Sequence, residues 1–283
     1  MKILSSEQVT FYNVEGYLHI RHILPPAFLQ VSRYVLSRWV DHTIDRWETK
    51  GLITDPKTNI DFQHRLLRVW HDAGKPNYMR SPRRDLVCPE MYQILLHPIL
   101  LDVAEDLLQT DEVSVHGIFN ARPKLPDQKW TDTPWHQDAQ YYRDAEQSHV
   151  VSMWFPLQPV TEYNSCLQVA PGSHDETLHE GYQDEETGFL GLSPNICETL
   201  NGLSIEMELG DILCFPHKMP HRALPNRSDA VRWSMDVRYE PTAQSTRSGR
   251  DKGFIARSPG NPEAVESCDA WLARWAEIPM STY

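Results

Sequence analysis

The segment His136-Gln137-Asp138 carries the clearest chemistry in the sequence. Residues i and i+2 of a β-strand point to the same face, so an extended backbone would project this imidazole and this carboxylate together. Two histidines and one carboxylate hold a non-haem Fe(II) ion and leave coordination positions open. Trp135, Tyr141 and Tyr142 flank the pair and can line a dry pocket. The spacing therefore predicts two of the three protein ligands of a metal centre.

The third ligand is expected from a distant histidine. His217 and His221 are four residues apart, but Pro216 and Pro220 argue against a helix there. A connection from a loop to a strand is favoured, so only one of the two histidines need bind a metal. A competing cluster, His174-Asp175-Glu176, ends a Pro-Gly-Ser turn, where a solvated histidine is more usual.

An alternating polar face follows at 231–239. Alternation places four polar side chains on one face, namely Arg232, Ser234, Asp236 and Arg238. A buried guanidinium needs an anion, and its fork fits a carboxylate in bidentate fashion. The remote carboxylate of 2-oxoglutarate would satisfy Arg232. The alternative is that Arg232 pairs with Asp236 or Asp211 on a solvated face.

Composition and the absence of several motifs argue against a number of functional classes. The 283 residues contain 27 Lys and Arg against 39 Asp and Glu, so the formal net charge is −12, which argues against nucleic acid as the main partner. No apolar run approaches the roughly 20 residues of a membrane helix. Polar residues interrupt any signal-peptide core at 1–15, so a cytoplasmic location is the expectation. The five cysteines form no CxxC pair, and the GxGxxG, GxxxxGK[ST], GxSxG and HExxH motifs are absent.

The elements that must position these residues fall into three stretches. Helical spacing predicts helices after Pro25-Pro26, at about 60–72 and over Pro98–Leu108, and a last helix starting at Asn261-Pro262-Glu263. Between them the spacing predicts short strands at Val113–Phe119, Thr133–Tyr142, Val150–Leu157, Cys166–Val169, Ser204–Glu208, Asp211–Phe215 and Arg232–Tyr239. Seven such strands indicate a sandwich or barrel of jelly-roll type. Residues 175–202 resemble a polar, irregular surface insertion.

Taken together, the ordered motifs resemble the phytanoyl-CoA dioxygenase family of Fe(II)- and 2-oxoglutarate-dependent oxygenases. The resemblance runs from about Tyr12 to Tyr239 and rests on Gly16-Tyr17-Leu18, His97-Pro98, Trp135-His136-Gln137-Asp138, Trp154, Asn164 through His174, Gly210-Asp211 and the spacing from His221 to Arg232. It implies a mainly β protein with flanking helices: a cupin-like double-stranded β-helix, or jelly roll, backed by N-terminal helices. The whole chain is expected to form one domain, with helical support at about 1–110, a core at about 111–240 and a tail with a helix at 241–283.

The resemblance also implies the roles of the site residues. His136, Asp138 and His221 would bind Fe(II), and Arg232 would bind the 5-carboxylate of 2-oxoglutarate, with Ser234 as a possible helper. Trp154 would line the co-substrate site, and His174 would be part of a structural turn. Arg122 and Lys124 are candidates for a second basic contact. The family usually has Asn-Gly where this chain has Asn164-Ser165, which puts the turn geometry in doubt.

The predicted function is a dioxygenase that hydroxylates, or otherwise oxidises, a C–H bond of a small metabolite while converting 2-oxoglutarate and O2 to succinate and CO2. Halogenating relatives lack the carboxylate ligand, so Asp138 favours oxygen insertion. Two alternatives remain: a Zn(II) hydrolase on the same barrel, which Arg232 disfavours, and a non-catalytic binding protein. A coenzyme A thioester would want a basic patch, for which Arg80, Arg83 and Arg84 or 247–257 are candidates. The oligomeric state is not predicted.

Overall fold

The computed structural model describes residues 1–76, 83–142, 149–174, 178–185, 187–246 and 252–277. The α-helices are α1 Ser6–Glu15, α2 Pro26–Thr49, α3 Phe62–Asp72, α4 Arg83–Leu86, α5 Pro89–Leu95, α6 Pro98–Leu108, α7 Pro194–Cys197 and α8 Cys268–Glu277. The strands are β1 Leu18–Ile20, β2 Val113–Val115, β3 Asn120–Ala121, β4 Thr133–His136, β5 Val151–Pro156, β6 Leu167–Val169, β7 Tyr182–Gln183, β8 Leu190–Gly191, β9 Leu203–Ile205, β10 Ile212–Pro216, β11 His221–Ala223, β12 Ser234–Pro241 and β13 Phe254–Arg257.

Within the described ranges, the strands form two main antiparallel sheets. The larger sheet has the order β1-β10-β5-β12-β2-β13, with β3 also paired to β12, and the smaller has the order β4-β11-β6-β9. From β4 to β6, and again from β9 to β12, consecutive strands lie in alternate sheets, apart from a separate β7–β8 hairpin between these two stretches. This is the jelly roll with flanking helices that the strand spacing predicts.

Strand β12 separates the helical layer from the interior of the jelly roll. Its apolar residues Met235, Val237 and Tyr239 belong to the same buried cluster as residues of α2, α5 and α6. Residues of a strand alternate between faces, so Ser234, Asp236 and Arg238 project to the other side; all three are buried. The helices therefore stabilise the back of a sheet whose front carries polar and charged side chains.

A second apolar cluster fills the space between the sheets. Trp154 of β5 and Leu213 and Phe215 of β10 pack there against residues of the smaller sheet, including Val169 and Ile205. This packing fixes the distance between the two sheets, and the buried polar side chains of β12 face the space between them.

The helical predictions are confirmed for α2, α3 and α6, but the last helix is predicted wrongly. A 3-10 turn spans Pro262–Ala264, Asn261 makes no side-chain cap, and α8 begins only at Cys268. Helix α1 was not predicted, although Ser5 and Gln8 form a capping box at its start. None of the described helices is long and apolar enough to cross a membrane.

One predicted strand and the predicted insertion also need correction. The predicted strand Thr133–Tyr142 ends at His136, because Gln137 and Gln140 form a capping box that starts a 3-10 turn over Asp138–Tyr141. In the predicted irregular insertion, the described residues form the β7–β8 hairpin and α7, and Leu192 and Ile196 cluster with Trp135. The insertion is therefore packed against the strand that carries His136.

Candidate metal and co-substrate site

His136 and His221 lie opposite each other on neighbouring strands. His136 ends β4, His221 begins β11, and the two are paired residues in the antiparallel register. Their rings lie 4.1 Å apart between centroids, and both residues are buried. His217 lies outside this pair: it follows β10, and its Nδ1 accepts a long hydrogen bond from the Val150 amide at 3.4 Å. The loop-to-strand arrangement predicted for 216–221 is confirmed.

Hydrogen bonds fix which nitrogen of each ring is available. Nδ1 of His136 lies 2.9 Å from the Pro134 carbonyl oxygen, and Nδ1 of His221 lies 2.9 Å from the Met219 carbonyl oxygen. A carbonyl only accepts, so each Nδ1 must carry the proton and each Nε2 presents a lone pair. Burial, together with the neighbouring His221, lowers the pKa of His136 to about 3, and burial lowers the pKa of His221. Both rings are therefore neutral at ordinary pH, and each has an Nε2 lone pair that a metal ion could use.

Asp138 comes from the 3-10 turn that follows β4, and its carboxylate is buried between the sheets. Its Oδ1 lies 3.9 Å from Nε2 of His136. Ser152 donates a hydrogen bond to Oδ2 at 2.6 Å, and Arg238 contacts both carboxylate oxygens. Burial by itself would raise the pKa of Asp138, but Arg238 and the two histidines hold this pKa well below its usual range. The carboxylate is therefore ionised at ordinary pH.

These three side chains meet the donor requirement of a metal site. One ligand atom from each of His136, Asp138 and His221 lies within 4.8 Å of the other two, and in the described part of the chain this is the only group of three or more potential ligands with such geometry. Two neutral imidazoles and one carboxylate this close together suit a divalent transition metal that keeps open coordination positions. The residues therefore fit a non-haem iron ion.

Arg232 is a buried guanidinium with neutral partners. Its Nη1 donates to Ser234 Oγ at 2.5 Å, its Nη2 lies 3.4 Å from Ser165 Oγ, and its Nε has no hydrogen-bond partner. Among the described residues no carboxylate forms an ion pair with it. Burial, followed by the nearby charge of Arg122, lowers the pKa of Arg232 to about 9. The alternative pairing with Asp236 or Asp211 is wrong, so this cation lacks the anion that its burial calls for.

Trp154, Ser234 and Ser165 surround the Arg232 guanidinium. The guanidinium carbon lies 5.4 Å from the ring centroid of Trp154, within cation–π range. Ser165 has a positive φ of +79°, a region that favours glycine, and its hydroxyl donates to the Leu224 carbonyl while facing Arg232. The Asn164-Ser165 departure thus keeps the left-handed turn and adds a hydroxyl beside the guanidinium.

Two further cations share the inner face. The pairing of β3 with β12 continues through the bridge between Lys124 and Arg232, so Arg122 and Lys124 project to the same side as Ser234 and Arg232. Arg122 is partly exposed, and its Nε donates to Asp236 Oδ1 at 2.9 Å. Its charge lowers the pKa of His136, His221 and Arg232 alike. Lys124 is buried, with Nζ 2.8 Å from Asp132 Oδ1.

Other candidates have structural partners. His174 Nε2 lies 3.1 Å from the Asn13 carbonyl, beneath Gly16, and His174 does not belong to the metal cluster. Of the two basic patches, Arg84 donates to the Ala276 carbonyl and Arg257 pairs with Asp102 at 2.6 Å. Arg80, Arg247 and Arg250 lie outside the described residues.

The sequence reasoning missed three residues of this site. Ser152 and Arg238 bind the Asp138 carboxylate, and Ser165 contacts Arg232. Arg238 could have been found, because it shares the alternating face of β12 with Arg232 and a buried arginine demands an acid. Ser152 and Ser165 had no comparable signal, since serines are common and only the fold brings them to the charged groups.

A jelly roll with two histidines and a carboxylate between its sheets is the architecture of the cupin-like, 2-oxoglutarate-dependent non-haem iron oxygenases. The crystal structure of SnoK, a non-haem α-ketoglutarate-dependent carbocyclase from nogalamycin biosynthesis, has this fold. It is 18% identical to the chain, with a TM-score of 0.57, over 92% of this chain and 90% of SnoK. At this identity the likeness concerns the fold alone.

Residues 12–234 match the family described as Phytanoyl-CoA dioxygenase (PhyH), and the chain belongs to that family of non-haem iron oxygenases. A "Probable phytanoyl-CoA dioxygenase" of Caenorhabditis elegans is 26% identical over 98% of this chain and 93% of its own length. The peroxisomal phytanoyl-CoA dioxygenase of Homo sapiens is 22% identical over 96% of this chain and 82% of its own length. The resemblance read from the motifs is thus confirmed.

Proposed function

We propose that the chain oxidises a C–H bond of a small organic molecule and converts 2-oxoglutarate and O2 to succinate and CO2. The observation that carries this proposal is Arg232, a buried guanidinium without an acidic partner among the described residues. It lies on the same face of the β12 segment as Arg238, which contacts the Asp138 carboxylate directly. A dicarboxylate that chelates a metal at one end and needs a cation at the other fits this pair of features.

His136, Asp138 and His221 would hold the iron, and Arg232 would bind the remote carboxylate of 2-oxoglutarate. Bound iron supplies the activation of O2 through which such enzymes oxidise unactivated carbon. The chain itself contributes the positioning: Ser234 and Trp154 hold the guanidinium, and Arg122 adds a further positive charge on the same face of the sheet. Phe215, whose ring centroid lies 4.4 Å from that of His221, keeps water away from one side of the ligands.

The reaction class is proposed as hydroxylation of a small metabolite. Asp138 occupies the position that a halide would need, so oxygen insertion is favoured over halogen transfer. The net charge of −12 and the structural roles of Arg84 and Arg257 favour a substrate without coenzyme A. A Zn(II) hydrolase would use the same three ligands, but it has no need of a buried cation placed for a dicarboxylate.

The test is anaerobic binding of 2-oxoglutarate to the Fe(II)-loaded protein, followed by succinate formation on admission of O2. We expect a charge-transfer absorption on adding 2-oxoglutarate and slow succinate release even without substrate. His136→Ala should abolish both signals, whereas His64→Ala, a variant of a surface histidine paired with Asp61, should retain them. Hydrolytic activity with Zn(II) that needs neither O2 nor 2-oxoglutarate would establish the alternative, and Fe(II)-loaded protein without affinity for 2-oxoglutarate would refute the proposal.

A further inference from the structure

Arg238 and Asp138 form a buried ion pair at the proposed metal site. Nε of Arg238 donates to Oδ2 of Asp138 at 3.0 Å, and Nη2 lies 2.9 Å from both carboxylate oxygens. Both residues are almost completely buried, with 3% and 4% of their surface exposed. A fork contact in a dry setting restrains the plane of the carboxylate as well as its charge.

Asp138 needs such restraint because of where it lies. It follows the end of β4 in a 3-10 turn, so no strand pairing sets its direction as pairing sets that of His136 and His221. A carboxylate can bind a metal through one oxygen or through both. Here Ser152 and Nε of Arg238 both donate hydrogen bonds to Oδ2. Oδ1 instead points to the histidines and lies 3.9 Å from Nε2 of His136. Oδ1 still has a lone pair beyond the one that Nη2 uses.

Arg238 is itself held in place from the opposite side. Its Nη1 donates to Oδ2 of Asp236 at 2.5 Å and to the Ile118 carbonyl at 3.3 Å. Asp236 is fixed in turn by Arg122 Nε at 2.9 Å and by the Asn120 side-chain amide at 2.7 Å. Every nitrogen of the Arg238 guanidinium therefore has an acceptor, and its rotation would break ion pairs at both ends.

We propose that Arg238 is a positioning residue that fixes Asp138 for one-oxygen coordination, through Oδ1, with Asp236 holding Arg238 in that orientation. The inference rests on the proposed function in one respect, namely that the three-residue cluster binds a metal. A lysine could supply the charge but not the planar fork, so the geometry and the charge of Arg238 are separable by substitution.

The experiment is an anaerobic titration with Co(II), followed by its ligand-field absorption and by competition with a chelator. The variants are Arg238→Gln, Arg238→Lys and Ser152→Ala. The matched control is Arg274→Gln. Arg274 lies in α8 and makes a similar fork contact with Glu266, which lies in the segment before that helix. Loss of a group that orients a ligand weakens metal binding by about 10- to 100-fold. We expect that loss for Arg238→Gln, a smaller loss with an altered absorption spectrum for Arg238→Lys, and wild-type affinity for Arg274→Gln.

Melting temperatures of the metal-free proteins separate this role from a purely structural one. If Arg238 only stabilises the fold, the Arg238 variants melt earlier but retain the wild-type Co(II) affinity and spectrum, which overturns the inference. If Arg238→Gln does not fold, the same comparison of Co(II) affinity with melting temperature is made on Arg238→Lys and Ser152→Ala. Arg238→Lys keeps a side chain of similar size, and Ser152→Ala leaves only a small gap. Absence of Co(II) binding by the wild-type protein would instead refute the proposed function.

Discussion

His136 and His221 are paired across β4 and β11, and each ring makes the same local contact. Its Nδ1 donates a hydrogen bond to the carbonyl oxygen of the residue two positions earlier in the sequence. The backbone that carries each histidine therefore also sets the tautomer and direction of its ring. Neither ligand depends on a distant acidic residue for orientation. The two Nε2 atoms consequently converge as soon as the strands pair.

Replacing either histidine should abolish tight metal binding, because two ligands remain where three are needed. We expect the Co(II) dissociation constant of His136→Ala and of His221→Ala to rise by more than about 100-fold. His174→Ala is the matched comparison, since this buried histidine contacts Asn13 and Gly16 instead. It should lower the stability by about 1–3 kcal/mol and leave metal affinity unchanged. Weakened metal binding in His174→Ala would contradict this assignment.

Replacing Arg232 should separate co-substrate binding from stability. Hydrogen bonds to charged groups contribute about 1.5–3 kcal/mol, so Arg232→Met should weaken 2-oxoglutarate binding to the metal-loaded protein by about 10- to 150-fold. The same variant should raise the melting temperature of the protein without 2-oxoglutarate, because it removes a buried charge that lacks an acidic partner. Calorimetry and thermal unfolding measure the two effects. A variant that melts earlier and still binds 2-oxoglutarate normally would show that Arg232 is a structural cation.

The affinity for 2-oxoglutarate should fall as the pH rises through neutrality. Burial lowers the pKa of Lys124 to about 7 despite its pairing with Asp132, and Lys124 lies directly opposite Arg232 in the sheet. A dianion prefers the protonated amine, so binding is strongest below pH 7. Above pH 7 the affinity for 2-oxoglutarate falls. The total loss is about tenfold for each unit by which bound 2-oxoglutarate raises the Lys124 pKa. Dissociation constants measured from pH 6 to 8 test this, and Lys124→Met should flatten the profile over that range. The same pH profile in Lys124→Met and in the wild-type protein would assign the effect to another group.

Ser165 offers a test that separates backbone conformation from side-chain chemistry. Its φ of +79° is unfavourable for a residue with a Cβ, by roughly 1–2 kcal/mol, and its hydroxyl contacts Arg232. Ser165→Gly and Ser165→Ala both remove the hydroxyl and should weaken 2-oxoglutarate binding by about two- to tenfold. Only the glycine variant relieves the backbone, so it should unfold at a higher temperature than the alanine variant. Unchanged binding in both variants would remove Ser165 from the co-substrate site.

Much of the fold could be predicted because its strands are short, apolar and separated by turn residues. The helices α2, α3 and α6 follow from regular apolar spacing, and Asp61 caps α3 as such residues do. Local structure at the helix starts explains the two errors in the helix predictions. Asn261-Pro262 resembles a helix start, yet it makes only a 3-10 turn, whereas α1 begins at the capping box of Ser5 and Gln8 despite a weak apolar pattern.

The candidate site was predictable where spacing determines geometry. The alternation of β12 placed Arg232 and Ser234 on one face, and the His136-to-Asp138 spacing brought a carboxylate beside an imidazole. The predicted strand over both residues is wrong, because a 3-10 turn directs Asp138. The alternation of β12 could also have indicated Arg238 as a buried cation that needs an acid, but not that this acid is Asp138. That contact and the contact of Ser152 depend on how β5 and β12 pack around a turn distant in sequence.

The polar side chains of β12 occur at every second position, with Arg232 just before the strand and Arg238 near its middle. Insertion or deletion of a single residue between them would turn one guanidinium toward the helical layer and leave the other in place. The length of this segment is as constrained as the identity of any ligand, and a register-shifted variant should lose metal positioning and co-substrate binding together.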